Sequence, residues 1–308
     1  MRVNVVGVGK LGLAYAAFIS SRGHSVHCVD TNADLIAQYT AGQFETTEPR
    51  VVELIHAFPM TYSTSCIDAD LTVILVNTPT SYAGYDHRNL EHALRQSIGP
   101  VIVTSTVQPG FCQRFPDVTY NPLFIQIGDV IRNLETTTNV LVGGVPDRHR
   151  DFFTSLYGPD VRIHYMSHIE AEVAKLSLNS YITMKISFAN MVGDALRRVG
   201  KDADAVLSFV GSDARIGDKC FKYGWGYGGP CFPRDNRALS TFLREHGMYD
   251  YLPMASHESN ERHAMEQALF YESTVMDDMS YKDNCAVPIT EESRSEEHTS
   301  ELQSHSDL

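Results

Sequence analysis

The sequence predicts an α/β protein: an N-terminal Rossmann-type doubly wound parallel sheet, followed by a long helix and a small helical domain. Three observations carry this. The chain opens on an apolar strand, a glycine turn and a helix. Short apolar runs then recur with helical patterns between them, which implies parallel pairing and right-handed crossovers. From about Glu170 that alternation stops, and apolar residues recur at helical spacing to about residue 199. A length of 308 residues suggests about two domains.

The elements follow in order. Residues 2–6 (RVNVV) form a strand, GVGKLG at 7–12 the turn, and 11–19 a helix. SVHCV at 25–29 is a second strand ending at Asp30, with further apolar runs at 71–76, 100–104, 139–143 and 161–165. Residues 1–165 are thus assigned to the first domain. Residues 170–199 contain no Pro and no Gly before Gly193, so one long helix is expected. Helices are also expected at 202–209, 235–246 and 255–272, with an aromatic, glycine-rich loop, KYGWGYGGPCFPRD, ahead of Asp235. Residues 166–272 make the helical second domain, and 273–293 are read as the start of a third. Residues 294–304 (RSEEHTSELQS) match the in-frame translation of a common sequencing adapter, so 294–308 are set aside as a non-native tail.

Composition excludes several classes. With 43% hydrophobic residues the chain is not wholly disordered, and a net charge of −13 argues against a nucleic-acid scaffold. No apolar run reaches the roughly 18 to 20 residues of a membrane span. The N-terminus lacks a signal-peptide layout, so a cytoplasmic protein is expected. None of the six cysteines, Cys28, Cys66, Cys112, Cys220, Cys231 and Cys285, forms a CxxC pair, which suggests neither a metal site nor a disulfide framework.

Gly7, Gly9 and Gly12 make a G-x-G-x-x-G between a strand and a helix, and Asp30 closes the next strand. The first glycine permits the tight turn, the second lets a pyrophosphate approach the backbone, and the third lets helix and strand pack closely. Asp30 can bind both hydroxyls of a ribose and would repel a 2′-phosphate. Thr31 follows it, with no Arg to take that phosphate, so NAD is expected over NADP. In the second domain, Lys175 and Asn179 are four apart and share a helix face, which on spacing alone reads most simply as a solvated surface. Cys231 follows Gly228, Gly229 and Pro230 and precedes Pro233 and Asp235 at the start of a helix, where a thiolate is favoured. Nucleophile and buried loop cysteine both fit that local sequence.

Several segments together resemble the nucleotide-sugar dehydrogenases, the UDP-glucose/GDP-mannose dehydrogenase family. They are GVGKLG at 7–12, NTPT at 77–80, STVQPG at 105–110, AEVAKLSLNSYITMKISFAN at 171–190, SDARIG at 212–217 and GYGGPCFPRD at 226–235. The likeness runs through SNER at 259–262 and covers nearly all of residues 1–265. It implies oxidation of a sugar C6 alcohol in two steps with NAD, most commonly UDP-glucose to UDP-glucuronate. By the resemblance, Cys231 is the nucleophile that carries thiohemiacetal and thioester, and Lys175 polarises the C6 oxygen with Asn179 as partner. Asp235 orders a water or assists proton transfer. Thr78, Pro79 and Thr106 match cofactor-side positions, Thr106 near the nicotinamide. Arg215 matches an Arg reaching substrate across a dimer interface. Phe221 to Tyr227 corresponds to the loop over the nucleotide-sugar, Phe221, Tyr223 and Gly228 match substrate-side positions, and the long helix matches the family's dimerisation element.

The chain departs from the family at NPLFIQIG, residues 121–128, where the usual pattern is NPEFLxEG. Leu123 and Ile127 replace two glutamates and can neither accept a proton nor order a water. That touches thioester hydrolysis, for which Glu170 and Glu172 are substitute candidates. Tyr281-Lys282 is read as the remnant of a Phe-Lys motif of a C-terminal domain. Two other readings stay open. A 6-phosphogluconate-type hydroxyacid dehydrogenase shares the sheet, long helix and Lys/Asn pair but needs no cysteine, and GYGGPCFPRD counts against it. A non-catalytic homologue that binds NAD or a nucleotide-sugar would account for the missing glutamates.

Overall fold

A computed structural model of the chain describes residues 1–81, 84–229 and 231–270. Pro230, the assignments beyond residue 270, the Tyr281-Lys282 motif and Cys285 lie outside the described residues. The chain divides into two compact units, Met1–Lys175 and Leu176–Leu308, with the division inside one long helix.

In the first unit, β1 (Arg2–Val6) leads through the glycine turn to α1 (Lys10–Ser21) and β2 (Ser25–Val29). Next come α2 (Ala33–Thr40), α3 (Val51–Ala57), β3 (Thr61–Ser63), β4 (Leu71–Ile74) and the short hairpin of β5 (Thr80–Ser81) and β6 (Gly84–Tyr85). Then follow α4 (Arg88–Gln96), β7 (Val101–Val103), β8 (Thr119–Tyr120), α5 (Val130–Glu135), β9 (Asn139–Gly143), α6 (Arg150–Tyr157) and β10 (Arg162–Met166). Eight of these strands form one sheet, in the order β10-β9-β8-β7-β4-β1-β2-β3. Val3 pairs with Val26 on one side and Leu71 on the other, both in parallel. The expected doubly wound sheet is therefore present. One pairing, Tyr120 of β8 with Gly143 of β9, is antiparallel.

Strand alternation sorts the core onto two faces. Val3, Val5, Leu71, Val73, Ile102, Val140 and Val142 join a cluster with Leu13, Phe18 and Phe153 from the helices. Ile74, Val103 and Leu141, out of phase with them, join Leu90, Val107 and Phe111. In α1 every residue from Gly12 to Ser20 is buried, as for a helix covered on all sides. Asn4, buried in β1, is satisfied: Nδ2 donates to Ile67 O at 2.9 Å and to Thr72 Oγ1 at 3.3 Å.

The second unit is helical, and the expected long helix is α7 (His168–Arg198), 31 residues and about 46 Å long. Its start is capped from one side: the Glu170 carboxylate accepts from Ser167 N at 2.8 Å and from Ser167 Oγ at 2.6 Å. Then come α8 (Ala203–Gly211), α9 (Phe232–Glu245) and α10 (Tyr251–Phe270). The last two begin a few residues before the sequence-based starts at 235 and 255. Pro233 and Pro253 sit in first turns, where a missing N–H costs nothing. A small core of Ala189, Ala203, Leu207 and Phe221 joins α7, α8 and the loop after α8.

Candidate active site

In the first unit the glycine turn behaves as its spacing predicts. Gly7 has φ +88°, and a Cβ there would lie 2.5 Å from Leu75 O. A Cβ on Gly12 would lie 1.8 Å from Gly7 O, so helix and turn meet at backbone distance. Around Gly9 the Cβ position meets nothing within 4 Å. Gly9 also caps α1 without a side-chain bond, which leaves the helix N-terminus to an anion. The Asp30 carboxylate is oriented by Val8 N and Asn32 N, each donating at 3.0 Å. An open approach to the backbone, an uncapped helix start and a fixed carboxylate fit the pyrophosphate and ribose of NAD.

The loops after β4 and β7 are tied together beside that turn. Thr78 Oγ1 donates to Thr106 O at 2.9 Å, and Ser105 Oγ donates to Val76 O at 2.7 Å. Thr78 is buried, Thr106 half-buried and Pro79 exposed. Two residues hold the rest of the loop: His87, which the sequence reading passed over, and Glu172, which it offered only as a substitute base. His87 Nε2 accepts from Gln108 N at 3.1 Å while its ring stacks on Phe111 at 4.2 Å. Burial lowers His87 to about 4, which keeps that nitrogen an acceptor. Glu172, fully buried, accepts from Gly110 N at 2.5 Å and Cys112 N at 2.7 Å. Burial pushes its carboxyl up, and the two amides pull it back.

Lys175 is 9% exposed. Its Nζ donates to Leu123 O at 2.9 Å and lies 4.8 Å from the centre of the Phe124 ring. Leu123 packs against the larger core cluster, so the backbone carbonyl of this position, not its side chain, meets the lysine. Glu170 caps α7 and Glu172 holds the 110–112 backbone, so both substitute candidates are engaged elsewhere.

In the second unit, Cys231 occupies the N-cap position of α9 and is exposed. Its carbonyl accepts from Asp235 N at 2.9 Å. The Asp235 side chain is 1% exposed and accepts from Asn179 Nδ2 at 2.6 Å. Next to it, Asn236 is fully buried: its Oδ1 accepts from Thr183 Oγ1 at 3.1 Å, and its Nδ2 donates to Tyr227 OH at 3.0 Å. The first turn of α9 is therefore fixed on α7 and on the aromatic loop, with Cys231 at the end where helix amides favour a thiolate. Asn179, Asp235 and Cys231 thus come together. Arg215 stands on the surface, its guanidinium forked onto Asp213 at 2.9 and 2.6 Å. Phe221 is buried and stacks on Phe188 at 6.0 Å. Tyr223 is half-buried with its hydroxyl on Asp194 at 3.0 Å, and Gly228 is buried beside Gly229, which has φ +77°.

The chain is similar to known proteins over both units. Residues 1–160 match the NAD-binding domain of the UDP-glucose/GDP-mannose dehydrogenase family, and residues 169–262 match its central domain. The chain is 28% identical to a UDP-glucose 6-dehydrogenase of Pseudomonas aeruginosa over 89% of its own length and 67% of that protein. It is 29% identical to the UDP-glucose 6-dehydrogenase YwqF of Bacillus subtilis, over 78% of its own length and 61% of that protein. It therefore spans about three fifths to two thirds of the length of these relatives. Among solved structures, a UDP-glucose dehydrogenase from Pyrobaculum islandicum superposes with a TM-score of 0.86 at 27% identity, covering 98% of this chain and 79% of that one. Matched along both the sheet that holds the glycine turn and the helices that hold Cys231, the chain belongs to the UDP-glucose/GDP-mannose dehydrogenase family.

Proposed function

We propose that the protein is an NAD-dependent nucleotide-sugar 6-dehydrogenase, acting on UDP-glucose to give UDP-glucuronate. The observation that carries this is the first turn of α9: Cys231 at the N-cap and a buried Asp235 bonded to Asn179. A binding module has no need of an exposed thiol at a helix N-terminus beside a buried carboxylate. A 6-phosphogluconate-type reaction would leave Cys231 unused.

The glycine turn, the start of α1 and Asp30 hold NAD, whose nicotinamide accepts hydride when bound. Lys175 stabilises negative charge on the C6 oxygen as the alcohol is oxidised, and in the second unit Asn179 holds the Asp235 carboxylate by a hydrogen bond. The Cys231 thiolate adds to the aldehyde carbon, and the alkoxide so formed is the thiohemiacetal. Transfer of hydride from that carbon to a second molecule of NAD leaves the thioester. Water then adds and expels the thiolate, giving the carboxylate. Asp235 takes the proton of that water, because Glu170 and Glu172 are committed to backbone amides and Leu123 and Ile127 carry no base.

A second reading is favoured by Leu123 and Ile127: the chain stops at the thioester or the aldehyde. NADH formed per UDP-glucose consumed decides. Continuous turnover at two NADH per sugar is the expected result. A single burst of two NADH per active site with the sugar held on Cys231 means a stop at the thioester, and one NADH per sugar means a stop at the aldehyde; either supports the arrested reading. No NADH with UDP-glucose, UDP-N-acetyl sugars or GDP-mannose would leave NAD or nucleotide-sugar binding alone. The active form is a homodimer built on α7, which exposes Leu178, Tyr181, Phe188 and Met191. The supply of NAD and nucleotide-sugars makes the cytoplasm its site of action. No helix among the described residues is long and apolar enough to cross a membrane.

A further inference from the structure

The loop from Phe221 to Tyr227 is anchored by its backbone. Asn190 of α7 accepts from Gly224 N at 3.0 Å and donates to Trp225 O at 3.2 Å. Asn260 of α10 accepts from Tyr227 N at 2.7 Å and donates to Tyr227 O at 2.9 Å. A third anchor differs in kind. His263 of α10, 2% exposed, places Nε2 at 2.6 Å from Gly224 O and Nδ1 at 2.8 Å from Asp194 Oδ2. Neither a carbonyl nor a carboxylate oxygen supplies a hydrogen. Both ring nitrogens must therefore carry one, and the form that fits is the imidazolium.

The surroundings hold the same geometry. Tyr223 OH donates to Asp194 Oδ1 at 3.0 Å, accepts from Gln267 Nε2 at 3.3 Å, and its ring stands edge-on to His263 at 5.9 Å. The guanidinium of Arg197 is 3.7 Å from Asp194 and 6.0 Å from the Tyr223 ring. Glu266, on the next turn of α10, is paired with Arg198 of α7 at 2.5 Å. Gly193 belongs to the same packing, since a Cβ there would lie 1.8 Å from the Tyr223 ring.

We propose that His263 and Asp194 form a buried ionic clamp that positions the Phe221–Tyr227 loop for the nucleotide-sugar, and that loss of one ring proton opens it. His263 acts through Gly224 and is a positioning residue. The proposal rests on the reading of this loop as the cover of the substrate. A neutral imidazole keeps one N–H, and the buried carboxylate is the stronger acceptor, so Gly224 O is the bond given up. The Asn190 and Asn260 anchors do not titrate, so the loop is loosened at Gly224 and not released along its whole length.

Trp225, next to Gly224, is the only tryptophan in the chain, so its fluorescence reads the loop without substrate. Acrylamide quenching of Trp225 from about pH 5 to about pH 9 should rise in one step. The step should be absent in His263→Gln, which keeps a donor but cannot titrate. Nitrogen NMR of the native protein at the acid end should show hydrogen on both nitrogens of His263. In turnover, His263→Gln should raise KM for UDP-glucose about tenfold with kcat within about twofold, and flatten the pH profile of KM. A ring with one hydrogen at the acid end overturns the clamp, as does the same Trp225 step in native protein and His263→Gln. Protection of Trp225 by UDP-glucose tests the substrate reading separately. A pH step without protection removes the positioning role while leaving the ionic pair.

Discussion

Cys231 sits where a helix N-terminus favours its thiolate, so a replacement that keeps size but not nucleophilicity separates covalent from non-covalent chemistry. Cys231→Ser is expected to lower NADH formation from UDP-glucose at least about a hundredfold while leaving NAD affinity unchanged. Unchanged turnover would remove the covalent route. Glu172 makes a second case at this scale. Its carboxyl is raised by burial, so the folded state holds the proton more tightly than the unfolded one. That contribution to stability is fully present below the ordinary carboxylate range and is lost as pH rises through the raised value. Urea midpoints measured across this window should fall with pH in the native protein and fall less in Glu172→Gln. The amide loses one acceptor for Gly110 N and Cys112 N, which costs about 1 to 3 kcal/mol at all pH values. An unchanged slope would mean that another group titrates there. The sequence offered Glu172 only as a substitute base and did not mark His263 at all, because what defines each is a partner distant along the chain, 62 residues for Glu172 and Gly110 and 69 for His263 and Asp194.

The glycine turn between β1 and α1 shows how far one element can be read in advance. Gly9 and Gly12 are alike in sequence but differ in surroundings, open space for one and Gly7 O at 1.8 Å for the other. Gly9→Ala should leave the melting temperature within about 2 °C and weaken NAD binding at least tenfold, roughly the loss of one close phosphate contact. Gly12→Ala should instead lower the melting temperature by about 4 °C or more, because the backbone itself must move. Calorimetry and NAD titration of the two variants check both. Strands of five residues, such as β1, β2 and β9, show a readable apolar run. Strands β3 and β8 and the β5–β6 hairpin, two or three residues each, are too short to show a period. Long helices were legible in type, and their starts were placed a few residues late, at 170, 235 and 255 against His168, Phe232 and Tyr251.

At the scale of the whole molecule, the exposed face of α7 asks for a partner. Leu178, Tyr181, Phe188 and Met191 are 45%, 54%, 48% and 53% exposed, and their spacing gathers them on one arc of the helix. Over residues 178–191 the strip is about 20 Å long and about 10 Å wide, roughly 200 Å², short of the roughly 800 Å² per partner that a stable interface buries. Helix α8, with Val206 at 40% and Phe209 at 79% exposed, is the element available to make up the difference. In a two-fold dimer each substitution occurs twice, on both copies of the same patch. Phe188→Asp with Met191→Asp therefore puts four new carboxylates at one interface, on a chain whose net charge is already −13. Sedimentation should show the native chain as a dimer and this variant as a folded monomer. Phe209→Asp alone should weaken the dimer less, because it removes apolar area at one helix while α7 keeps its own. A native chain that sediments as a monomer at micromolar concentration would sink the dimer built on α7. Arg215 would then have no neighbouring copy to reach, and its exposed pairing with Asp213 would be its whole role.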